Sequence, residues 1–120
     1  MNNKLTQLET LLLKAMVAQH KDYFSTGCGF VDNLRVIRRD VTGVGCYVIF
    51  EKILQSKAGD ELQPAELGFN GVIAVPDVPS GLGAVVCVEN GVVNYIELFT
   101  YGSEKWSGNT TFGTVEPSRA

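Results

Sequence analysis

The chain has 120 residues, of which 45% are hydrophobic and 19% charged, values that suit one globular domain and argue against a disordered or membrane-embedded chain. Its formal charge is −3 and its pI about 5.0. No basic run exceeds Arg38-Arg39, which argues against a surface for DNA or RNA.

The first element is helical. Leu5, Leu8, Leu12, Ala15 and Met16 recur at helical spacing, Leu11 and Val17 widen the stripe, and Lys4, Glu9 and Lys14 fall elsewhere on the wheel. Asn2 or Asn3 is the expected cap, and the helix is expected to end between His20 and Phe24. The start lacks a signal peptide's basic region and unbroken apolar run. No pair of the three cysteines, Cys28, Cys46 and Cys87, forms a CxxC. Free thiols in a reducing compartment, and so a cytoplasmic protein, are expected.

From Leu34 the period changes. LRVIRR and CYVIFEKIL, joined by DVTGVG, read as an antiparallel hairpin. Lys57 to Pro64 is a polar surface loop carrying Asp60 and Glu61. Leu67 to Val75 reads as a further strand, with Gly71 marking a bulge or a close backbone contact.

The segment from Ala84 to Tyr101, AVVCVENGVVNYIELFTY, then holds two β-rich runs joined by Asn90-Gly91, a dipeptide suited to a type I′ turn. A two-residue turn sets Glu89 against Val92, Val88 against Val93, Val86 against Tyr95 and Ala84 against Glu97. On that register Glu97 shares a face with Val93, Tyr95, Phe99 and Tyr101, while Ile96 and Leu98 take the opposite, helix-facing side. After Tyr101 the composition turns to Gly, Ser, Thr and Asn around Trp106 and Phe112. The expected architecture is α+β: a single domain over 1–120, with an N-terminal helix (1–24), an antiparallel sheet of about five strands (34–101) and an irregular C-terminal arm (102–120).

Candidate chemistry is sparse. Cys28, Cys46, Cys87 and the lone His20 lack the spacing of a metal site, so no metal and no cofactor are expected. His20 with Cys28 could form a thiol–imidazole pair, but a helix C-terminal contact explains His20 more simply. TGVG and GLG do not open helices and read as turn glycines, not phosphate loops. Glu97 carries three readings: a buried ion pair with Arg38 or Arg39, part of an interface, or an acid/base group in a pocket between helix and sheet. Tyr95, Phe99, Tyr101 and Trp106 are candidate interface anchors, with Asp60, Glu61, Glu66, Glu97 and Glu104 as an acidic rim.

Two segments, RDVTGVGCYVIFE (Arg39 to Glu51) and the run from Glu89 to Gly102 containing IELFTY, together carry a family likeness. The chain resembles a group of small bacterial proteins with a T-G-x-G turn entering an aromatic strand and an N/D-G hairpin ending in L/I-E-x-[YF]-T-Y. Cys46 stands where that group has an aromatic or aliphatic residue. Some domains of this type are immunity proteins of toxin–immunity pairs, including contact-dependent inhibition systems. The resemblance implies a non-enzymatic protein that occludes a cognate toxin, with a basic nuclease-type toxin matching the acidic pI. It supplies no catalytic residues. A small enzyme or ligand-binding domain using Glu97 is the alternative, and a homo-oligomer pairing through an edge strand or the Trp106 tail is the third reading.

Overall fold

Helix α1 spans Gln7–Gln19 and starts at a capping box, Thr6-x-x-Glu9. The Thr6 hydroxyl accepts the Glu9 N–H at 3.2 Å, and Glu9 Oε1 accepts the Thr6 N–H at 2.9 Å. The cap is therefore Thr6, not Asn2 or Asn3, which lie outside the described part of the chain. The computed structural model describes residues 4–24, 29–51, 65–89, 92–102 and 104–118. His20 closes the helix, its N–H donating to Met16 O at 3.0 Å, and short 3-10 turns follow at Lys21–Tyr23 and Gly29–Asn33.

Seven strands follow: β1 (Val36–Val41), β2 (Gly45–Phe50), β3 (Ala65–Gly68), β4 (Gly71–Val75), β5 (Val78–Glu89), β6 (Val92–Thr100) and β7 (Thr114–Pro117). They form one antiparallel sheet in the order β1-β2-β6-β5-β4-β7, with β3 also on β5. The protein is thus α+β, a helix on an antiparallel sheet, with seven strands among the described residues where about five were expected. Two of the extra strands have simple origins. The run Leu67 to Val75 is broken at Phe69-Asn70, so β3 pairs with Val85–Val88 and β4 with Val78–Leu82 of the same long strand. The C-terminal arm is not wholly irregular, because Thr114–Pro117 adds β7 to the outer edge of β4. Gly71, at φ 155°, permits that contact: a Cβ there would sit 2.4 Å from Glu116 O.

The β5–β6 register confirms only the first two expected pairs, Glu89 with Val92 and Val88 with Val93. A bulge then shifts it by one, giving Cys87–Tyr95, Val86–Ile96, Val85–Glu97 and Ala84–Leu98. Asn94 is the extra residue, and Val93 consequently turns to the core, away from Tyr95 and Glu97. The Asn90-Gly91 turn itself lies outside the described residues.

One face of the sheet meets the helix. Leu8, Leu12, Leu13, Met16 and Val17 join Val48, Phe50, Ile73, Leu82, Val86, Ile96 and Leu98 in a single buried cluster. Each such side chain contributes roughly 2 kcal/mol of transfer free energy on burial. Ile96 and Leu98 take the helix side, as their apolar character predicts. Leu11, expected to widen the stripe, is 44% exposed, whereas Glu9 is fully buried. Trp106, expected on the surface, is 3% exposed and belongs to the core. The arm holds it there: the Trp106 backbone N–H donates to Gly43 O at 2.9 Å, and the Thr100 hydroxyl donates to the Glu104 backbone carbonyl at 2.8 Å. No helix is long and apolar enough to cross a membrane among the described residues.

Candidate functional site

Among the described residues the buried charged side chain is Glu9. It accepts four hydrogen bonds: from Thr6 N–H (2.9 Å) and Arg39 Nη2 (2.6 Å) at Oε1, and from Arg39 Nε (3.0 Å) and the Thr110 hydroxyl (2.7 Å) at Oε2. The bidentate pair satisfies the carboxylate and raises the Arg39 pKa, chiefly through the hydrogen bond to Glu9. Three segments distant in sequence, α1, β1 and the C-terminal arm, are tied by one group. The expected buried pair between Glu97 and Arg38 or Arg39 is not what forms. Arg39 faces the core side and reaches Glu9, while Arg38 points to the other face and chelates Asp40 at 2.9 and 3.2 Å.

Glu97 sits on the sheet face opposite the helix. The space between helix and sheet is filled by apolar side chains, so Glu97 does not enter a pocket there. Strand pairing builds this open face in rows. One row runs Asp40, Tyr47, Glu97, Val85 and Gly68, and the next runs Arg38, Ile49, Tyr95, Cys87 and Glu66. A third places Phe99 between Gly45 and Gly83. The Phe99 ring occupies the space above Gly83, where a Cβ would lie 2.4 Å from the ring.

The aromatic side chains are mutually positioned. Tyr47 and Tyr95 meet edge to face at 5.6 Å, as do Phe99 and Tyr101 at 6.0 Å. The Tyr95 hydroxyl donates to Glu66 Oε2 at 2.7 Å, spanning the strand between them. That hydrogen bond, with burial, raises the Tyr95 pKa well above the ordinary phenol value. The charge of Glu97 raises the Tyr47 pKa in the same direction. Around them the face carries Asp40, Glu66, Glu89, Glu97 and Glu116, with Arg38 paired to Asp40 and Arg35 paired to Glu51 at the β1–β2 end.

Of the nine expected partner-binding residues, Glu66, Tyr95, Glu97, Phe99 and Tyr101 fall together on this face or its lower rim. Tyr47 belongs with them and was missed, although its alternation with Cys46 and Val48 in GCYVIF places it on the face away from the core. Trp106 is buried and Glu104 has one carboxylate oxygen closed off from solvent, so neither is a surface anchor in this conformation. Asp60 and Glu61 lie outside the described residues, as does Cys28.

His20 engages the sheet. Its Nε2 lies 2.7 Å from Gly68 O, so that nitrogen carries the proton. Beside it the Gln19 carboxamide donates to Asn70 O at 2.6 Å and accepts from Asn70 N–H at 2.9 Å. These contacts floor an open groove of about 510 Å³ at the end of α1, and they use its polar groups internally. Among the described residues, no group of three or more His, Cys, Asp or Glu could hold a metal ion.

Fold and surface together define an α+β protein with one helix on an antiparallel sheet whose second face is left open as an aromatic and acidic surface. No protein-family model, curated protein or solved structure matches the chain.

Proposed function

We propose that this chain is a non-enzymatic binding protein of the immunity type, acting in the cytoplasm by docking on a cognate, basic toxin and occluding its active site or substrate path. The observation that carries this reading is the open sheet face. It joins aromatic residues held by neighbours, Tyr47, Tyr95, Phe99 and Tyr101, to a carboxylate excess, the composition that favours tight association with a basic protein. Tyrosines add contact area at little entropic cost, and Tyr47 and Tyr95 already pack against one another in the free protein. The carboxylates speed encounter with a positively charged surface.

Co-expression with the product of the adjacent gene tests this. The wild-type chain should relieve growth arrest and form a stoichiometric complex, while a folded Glu66→Arg/Glu97→Arg variant should lose both. Protection by that variant equal to wild type would refute docking through this face.

A further inference from the structure

We infer that the central contact of this face is made to an arginine side chain of the partner, seated on the Tyr47 and Tyr95 rings and held by Glu97 and Glu66. The inference rests on the docking reading above and adds the chemistry of the group recognised. Three features of the face support it. First, Tyr47 and Tyr95 stand at 70° to one another, so together they offer a wall and a floor, not two parallel plates. A planar cation can lie on one ring face while its edge meets the neighbouring carboxylate. Second, Glu97 and Glu66 flank the pair on two sides: Glu97 lies opposite Tyr47 across the β2–β6 ladder, and Glu66 is anchored by the Tyr95 hydroxyl through one oxygen, leaving the other to accept. Third, Val85 and Cys87, both half-buried, lie beside Glu97 and Tyr95 on the next strand and give the patch an apolar flank for the methylene stem of the arginine.

The charges also choose between occupants. A second copy docking face to face would oppose Glu66, Glu89, Glu97 and Glu116 with the same set, since Arg38 is already paired to Asp40, so self-association through this face is disfavoured. A lysine would satisfy one carboxylate as a point charge but could not stack its head group and fork two oxygens at once.

A backbone-amide NMR titration with the blocked tripeptide Ac-Ala-Arg-Ala-NH₂ tests this, alongside its lysine and glutamate counterparts. The expected result is saturable shifts confined to Tyr47, Val85, Cys87, Tyr95 and Glu97, with the arginine peptide binding more tightly than the lysine one and the glutamate peptide silent. Glu66→Gln/Glu97→Gln, whose spectrum should remain dispersed elsewhere, should weaken the arginine peptide by about tenfold, the loss typical of a central anchor. Equal response to arginine and lysine, or shifts spread evenly over Glu89 and Glu116 as well, would overturn the inference. Failure here together with loss of toxin neutralisation in the arginine-substituted face variant would sink the arginine assignment and leave the docking face standing. Localised arginine binding by a chain that neutralises nothing would sink the immunity reading and leave the arginine site standing.

Discussion

Replacing Arg39 with alanine isolates the buried Glu9 charge. Glu9 has no solvent exposure and takes two of its four hydrogen bonds from the Arg39 guanidinium, whose own side chain is 25% exposed. Removing one partner of a buried ion pair costs about 3–5 kcal/mol, because the remaining carboxylate is left under-satisfied in a poorly polarisable site. Since Arg39 keeps a quarter of its side chain in water, the lower end applies, about 3 kcal/mol. For a chain of this size that corresponds to a melting temperature lower by about 12 °C. The charge-free double variant Glu9→Leu/Arg39→Met should be less damaged than Arg39→Ala alone by about 1 kcal/mol or more, because no orphaned charge remains. Thr6 N–H and Thr110 still lose an acceptor, so full recovery is not expected. Urea denaturation of the two single and the double variants, read at constant slope, measures the coupling. A cost below about 1 kcal/mol for Arg39→Ala, or strictly additive single substitutions, would refute this account.

Other substitutions probe separate parts of the argument. Trp106→Ala should cost about 3–5 kcal/mol, as expected for truncating a core indole; an unchanged melting temperature would return Trp106 to the surface. Burial, followed by the charge of Glu9, pushes the Cys46 thiol from 9.0 up to about 11. The folded state therefore holds that proton more tightly than the unfolded one. The resulting stability is complete below pH 9 and is lost as pH rises from there through about 11. Cys46→Ala should flatten the stability profile across that window, and an identical profile would contradict the assignment. Glu66→Gln should lower the ionisation midpoint of Tyr95 in an ultraviolet absorbance titration, since the hydrogen bond to Glu66 is the largest cause of its elevation. No movement would mean that the 2.7 Å contact does not persist in solution.

Local pattern made much of the fold legible. The helical stripe located α1, and the alternation in IELF assigned Ile96 and Leu98 to the helix side. Both depend on near neighbours and on period alone. The misses have a common physical origin in contacts between distant segments. Glu9 in fact falls within the buried stripe, one turn from Leu5, Leu12 and Leu13, and the arrival of Arg39 from β1 and Thr110 from the arm makes its burial tolerable. Its capping role was nonetheless readable in Thr6-x-x-Glu9, a signal masked by the asparagines upstream. A single bulge at Asn94 removed Val93 from the face shared by Tyr95 and Glu97, and nothing in that residue announces a bulge. Trp106 sits in a glycine- and serine-rich stretch that reads as an exposed arm, yet it closes one end of the core. The acidic aromatic face was partly visible because Tyr95, Glu97 and Phe99 alternate within one strand. Tyr47 was readable by the same alternation in GCYVIF, whereas strand order was needed to bring Glu66 alongside Tyr95.

The Gln19 carboxamide makes with Asn70 the paired hydrogen bonds that the peptide group of another strand would make, and His20 covers the next outward carbonyl, Gly68. The end of α1 thus covers the outward backbone groups at the end of β3, beside the point where β7 takes over the edge of β4 and Ser118 N–H also reaches Asn70 O. During folding this edge is adhesive until the helix docks, so helix docking and protection from edge-to-edge assembly are a single event. Any change that lets the last turn of α1 fray, even with the core intact, reopens a template for intermolecular pairing. The helix is therefore as much a guard on solubility as it is a source of apolar burial.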